Sequence, residues 1–183
     1  MGTFQIDFGE EPPLIVGIDL GTTNSLVAYL NAGLPEIIPG ADGDPLVPSV
    51  VSVANGTLVG NPARAALLTS PAETVYSVKR LMGRGVEDIA GELKLFPFKI
   101  APGSESVIRL QLGDKAYTPP EISAFILQQL KTNAEAHLGK PVSKADAYNF
   151  EYKTGAKGEW RPMPLREVSP TSAPGRPSIT PLR

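Results

Sequence analysis

Apolar residues gather in short runs separated by turn residues through most of the chain. Leu14-Ile15-Val16-Gly17-Ile18-Asp19 is a nearly continuous apolar run that ends on a carboxylate. Gly21-Thr22-Thr23-Asn24 supplies turn chemistry, and residues 25–30 form a second apolar run. The pattern predicts a β-hairpin whose first strand is buried. Glu36-Ile37-Ile38 reads as a third strand closed by Pro39-Gly40, and Asp42-Gly43 as a further turn. Residues 48–53 and 57–60, joined across Asn55-Gly56, read as another hairpin. Residues 62–68 suit a short alanine-rich helix. Ser70-Pro71-Ala72-Glu73 has the form of a capping box with proline at the first helical position, which predicts a helix through Val75, Val78 and Met82 that stops at Gly83. Residues 107–112 and 115–117 flank the tight turn Gly113-Asp114. The plainest signal comes next. Thr118-Pro119-Pro120-Glu121 is a second capping box, followed by Ile122, Phe125, Ile126, Leu130, Ala134 and Leu138 at helical spacing, with Gly139 as the stop. His137 falls in the last turn of that helix, where an imidazole suits the carbonyl ends.

Composition changes this picture at the C-terminal end. Of the 19 prolines, 6 fall in residues 146–183, and the stretch from Trp160 onward carries no helical or alternating pattern. Proline at that density removes donors and fixes φ too often for either element, so this end reads as a disordered tail. Elsewhere, composition mainly excludes. No cysteine is present, so disulfides, thiol catalysis and cysteine-ligated metal are ruled out. One histidine leaves no His-rich metal site. A formal net charge of −2 argues against a general grip on nucleic acid or an anionic membrane. No apolar run approaches the ~18–20 residues of a membrane span. Residues 1–13 lack the basic and apolar regions of a signal peptide, so a cytoplasmic location is expected.

One segment carries candidate chemistry, Val16-Gly17-Ile18-Asp19-Leu20-Gly21-Thr22-Thr23-Asn24-Ser25. It is neither a G-x-G-x-x-G fingerprint nor a Walker A loop. Glycine permits close backbone approach, turn N–H groups and threonine hydroxyls are donors, and Asp19 stands where a hydrated Mg²⁺ on a phosphate chain could be held. The same residues also suit a plain hairpin turn over a hydrogen-bonded aspartate.

This segment resembles the N-terminal phosphate signature of the heat shock protein 70 chaperones (the DnaK type), members of the actin-like ATPase superfamily. The resemblance continues in order through Pro48-Ser49-Val50-Val51, Leu58-Val59-Gly60-Asn61-Pro62-Ala63, Val78-Lys79-Arg80-Leu81-Met82-Gly83-Arg84, Phe96-Pro97-Phe98-Lys99 and Tyr117-Thr118-Pro119-Pro120-Glu121-Ile122-Ser123, ending at Leu138-Gly139-Lys140-Pro141-Val142. It implies an α/β, actin-like (ribonuclease H-like) ATPase fold, with the first lobe in residues 14–145, a flexible N-terminus in 1–13 and a divergent, disordered tail in 146–183. It implies ATP or ADP with Mg²⁺ as ligands. Gly21, Thr22, Thr23 and Asn24 would line the β- and γ-phosphates, Asp19 would be the metal-proximal carboxylate, and Lys79 the catalytic lysine. Arg80 would lie near the adenine. Read without the resemblance, Lys79 is a solvated cation near the end of a capped helix. The partners implied are unfolded polypeptide, a J-domain co-chaperone and a nucleotide exchange factor, within an ATP-dependent folding and stress-response role.

The resemblance breaks after Ala145. The strand expected to return from the 119–138 helix to the central sheet, the second phosphate loop and the adenosine motif have no counterpart here, which would leave an apolar edge on the first strand. Two readings follow. The first is a truncated or frameshifted chaperone fragment with little ATPase activity alone. The second is a small nucleotide-binding or protein-interaction module that keeps half of the fold.

Overall fold

Alternating burial along the first strand organises the molecule. The structure, a computed structural model, describes residues 14–104, 107–148, 151–154 and 159–162. Strand β1 (Ile15–Asp19) buries Val16 and Ile18 and turns through buried Leu20 into β2 (Asn24–Asn31). A turn at Ala32-Gly33 leads into β3 (Leu34–Ile38). Then come β4 (Val47–Pro48), β5 (Val50–Ser52), β6 (Leu58–Val59) and helix α1 (Asn61–Ala66). Strand β7 (Thr74–Tyr76), helix α2 (Val86–Ile89), and strands β8 (Lys99–Ile100), β9 (Leu110–Leu112) and β10 (Lys115–Tyr117) follow. Helix α3 (Pro119–Leu138) precedes β11 (Lys144–Tyr148), β12 (Glu151–Thr154) and β13 (Glu159–Pro162).

The central sheet runs β11-β1-β2-β3, with β4 also paired to β2. Among the described residues, two antiparallel sheets, β6-β5-β7 and β10-β9-β8, and the antiparallel pair β12-β13 complete the strand pairing. Helix α3 packs across β1, β2, β3, β5 and β6. Its Ile122, Ile126, Leu130 and Ala134, one helical face, are fully buried and join Val16, Ile18, Val27, Ile38 and Val51 in the core. The start of α3 is fixed by the expected capping box. The Glu121 N–H donates to Thr118 Oγ1 at 3.4 Å, and the Thr118 N–H donates to Glu121 Oε2 at 2.7 Å. Gly139, at φ 65°, ends it in the left-handed region that glycine enters without steric cost. On the opposite face of the central sheet, Ile15, Leu30 and Ile37 are exposed.

The α/β fold class is therefore as expected, but three expectations need correction. Residues 70–83 do not form a capped helix. A 3-10 turn at Pro71–Glu73 runs into β7, and a second 3-10 turn spans Val78–Leu81. Ser70 makes no side-chain cap, while Thr74-Val75-Tyr76, β-branched and aromatic, pair with Ser52, Val51 and Val50. Ser77, at φ 54°, then breaks the extended path. Pairing with β5 outweighs a local helix-start signal.

The returning strand is present. Strand β11 runs parallel to β1, from Ile15 opposite Lys144 to Asp19 opposite Tyr148, so the edge of β1 is paired rather than bare. Nor is the region beyond Ala145 without strand. Besides the end of β11, β12 and β13 pair antiparallel, with Pro162 at the terminal position of its strand, where its missing donor is tolerated. The rest of the expected disordered tail (149–150, 155–158 and 163–183) and the expected flexible N-terminus (1–13) lie outside the described residues.

Candidate phosphate-binding loop

The loop between β1 and β2 is shaped by a circuit of four hydrogen-bonding groups. The Gly21 N–H donates to Ser25 Oγ at 3.3 Å, and Ser49 Oγ donates to the Gly21 carbonyl at 2.9 Å. The two hydroxyls lie 2.8 Å apart. The single proton of Ser49 is committed to Gly21, so Ser25 must be the donor between them. The circuit is closed and runs one way round. Both serines are buried, at 1% and 2% exposure, and neither hydroxyl is left unsatisfied. On the far side of the loop, the Ser49 N–H donates to the Thr23 carbonyl at 2.8 Å. The pairing of Asn24 with Pro48 and of Ser25 with Val47 brings Ser49 to this position.

Gly21 is required here for space. A Cβ on it would stand 2.0 Å from the Asn24 carbonyl oxygen. Among the described residues, nothing accepts from the N–H groups of Thr22 and Thr23. Thr22 is half-buried, Thr23 and Asn24 are exposed, and Asp19 stands half-buried at the end of β1. The loop thus presents backbone donors beside one carboxylate, an arrangement suited to an oxygen anion accompanied by a cation.

Lys79 and Arg80 sit on a different element, the 3-10 turn Val78–Leu81. Its flanking residues Val78 and Leu81 are buried, Lys79 is half-buried and Arg80 is exposed. The link to the loop runs through strands. Val50, directly after Ser49, pairs with Tyr76 of β7, so the two chains leave this ladder at Ser49 and Ser77, two residues before Lys79. The structure therefore brings Asp19, Gly21, Thr22, Thr23 and Asn24 into one loop. It sets Lys79 and Arg80 on a turn carried by the neighbouring strand pair.

The sequence motifs contain Ser25 and Ser49 but assign them no role. The signal was there. A serine inside an otherwise apolar buried run, as in Pro48-Ser49-Val50-Val51, needs a hydrogen-bond partner.

The arrangement is an α/β layer that sets a glycine–threonine loop at the end of its first strand, backed by one long buried helix. A family model described as Hsp70 protein matches residues 15–147. The match runs from β1 through β11, and the chain belongs to the Hsp70 family, these residues forming part of its ATPase domain.

Proposed function

We propose that residues 14–147 bind the phosphates of ATP or ADP, as the nucleotide-binding part of an Hsp70-type chaperone that acts in ATP-dependent protein folding. The carrying observation is the β1–β2 loop, in which Gly21 is held by buried serines while the Thr22 and Thr23 N–H groups have no acceptor among the described residues. Gly21, Thr22, Thr23 and Asn24 would border the β- and γ-phosphates.

Among the described residues there is no cluster of three or more metal-ligating side chains. A lone carboxylate beside a phosphate loop suits Mg²⁺, which keeps several waters and is held largely by substrate phosphates, so Asp19 would hold it through water. Mg²⁺ there would neutralise phosphate charge. Lys79 would stabilise charge on the transferring phosphoryl group, and Arg80 would lie toward the adenine. The family generally works with substrate polypeptides and co-chaperones. For this chain we extend that to unfolded polypeptide, a J-domain co-chaperone and a nucleotide exchange factor, in the cytoplasm.

Calorimetric titration with Mg-ATP tests the reading. Saturable binding that is weakened by Gly21→Ala is expected, and no detectable binding at millimolar nucleotide would overturn it. A second reading, a nucleotide-binding module acting in its own right, is favoured by the pairing of β11 with β1, which gives the central sheet a partner on both sides of its first strand. A cooperative melt raised by Mg-ATP, without response to unfolded polypeptide, would select it.

A further inference from the structure

The serine circuit does more than fill a hydrogen-bond requirement. We propose that Ser25 and Ser49 are positioning residues for anion capture. By occupying both the N–H and the carbonyl of Gly21, they leave the loop to offer phosphate the N–H groups of Thr22 and Thr23 instead. This rests on the phosphate-binding reading of the loop and deepens it.

Three observations carry the inference. First, the Gly21 N–H already has Ser25 Oγ as its acceptor, so it is spent internally. Second, the Gly21 carbonyl, whose partial negative charge would oppose a nearby anion, is held by the Ser49 hydroxyl at 2.9 Å. Third, the Ser49 N–H holds the Thr23 carbonyl at 2.8 Å. One residue thus grips the loop on both sides of Thr22, and both peptide carbonyls it holds are turned to protein donors. The two intervening N–H groups, of Thr22 and Thr23, have no acceptor among the described residues. Because each hydroxyl donates once and accepts once, removing either one opens the whole circuit.

The test uses the full chain with Ser25→Ala, Ser49→Ala and the hydroxyl-preserving Ser49→Thr. Mg-ATP affinity is measured by calorimetry, and amide hydrogen exchange at Gly21, Ile126 and Leu130 is measured in the nucleotide-free chain. Each alanine variant is expected to weaken Mg-ATP binding by about tenfold or more, as loss of one or two hydrogen bonds implies. Exchange at Gly21 should accelerate while Ile126 and Leu130, in the core of α3, keep their protection. Ser49→Thr should recover most of the affinity. Unchanged affinity in both alanine variants would overturn the proposal. So would loss of α3 protection in step with Gly21, which marks global destabilisation only. If the unaltered chain binds no Mg-ATP, the phosphate reading fails and the exchange data decide the circuit alone. Slow Gly21 exchange, released locally by either alanine, would then support it, and fast exchange in the unaltered chain would overturn it.

Discussion

Replacing Gly21 by alanine tests the loop most directly. The added Cβ would stand 2.0 Å from the Asn24 carbonyl oxygen, where real Cβ atoms essentially never approach closer than 3.0 Å, so that carbonyl must retreat by about 1 Å. It cannot do so alone. Asn24 opens β2 and pairs with Pro48, and Ser25 follows it in the circuit. The Gly21–Ser25 bond is already long at 3.3 Å, so a shift of that size breaks it and disturbs the Ser49–Gly21 bond. Two lost hydrogen bonds cost about 1 kcal/mol each, and forcing a methyl into a packed site costs about 1–3 kcal/mol. A loss of about 3–5 kcal/mol follows, a large share of the ~5–15 kcal/mol that holds an ordinary domain together. Urea denaturation read by circular dichroism measures it, with Gly91→Ala as the comparison. Nothing lies within 4 Å of a Cβ built at Gly91, so that variant should stay within about 1 kcal/mol of the unaltered chain. Equal midpoints for Gly21→Ala and the unaltered chain would refute the steric argument and the hydrogen-bond circuit with it.

Ile126→Ala, which truncates a fully buried side chain at the centre of α3, should destabilise by about 2–5 kcal/mol in the same assay, while Leu68→Ala, at a site 90% exposed, should be near neutral. Thr118→Ala removes the side-chain acceptor that caps α3 and should cost about 1 kcal/mol, read as a lower urea midpoint with an unchanged slope. The Glu135 carboxyl is held below the usual glutamate value of 4.5, first by its hydrogen bond from Lys131 and then by the Val142 N–H. A depressed folded value means that the carboxylate's contribution is present above the unfolded value and is lost as pH falls through the folded one. Glu135→Gln should therefore lower the melting temperature at pH 7, and the difference from the unaltered chain should shrink as the pH is taken below about 4.

The parts of the fold written in local chemistry were legible. Helix α3 follows from Thr118, Glu121, its apolar spacing and Gly139, and the β1–β2 hairpin from its two apolar runs around Gly21-Thr22-Thr23-Asn24. Elements set by distant partners were not. Residues 70–83 carry a helix-start signature, yet Thr74-Val75-Tyr76 become a strand because β5 lies ready to pair with them. Lys144-Ala145-Asp146-Ala147-Tyr148 has no apolar run, and its strand character comes from backbone pairing with a strand near the other end of the chain. The loop residues of the candidate site could be read from their side-chain chemistry. That a serine in a buried apolar run needs a partner is legible, but which partner is not, because it depends on β4 bringing Ser49 back to Gly21.

The parallel pairing of β1 with β11 also sets an order of events during synthesis. Residue 15 finds its partner only when residue 144 has been made, and helix α3, which covers the inner face of the same sheet, is also among the last described elements to emerge. The β1–β2–β3 hairpins can form early, but they must wait with a bare strand edge and an uncovered apolar face. Pairings this distant are slow and expose the nascent chain to aggregation. A ribosome-bound chain stopped before residue 119 should therefore expose an apolar strand with an unpaired edge, a state that a free, completed chain passes through only briefly.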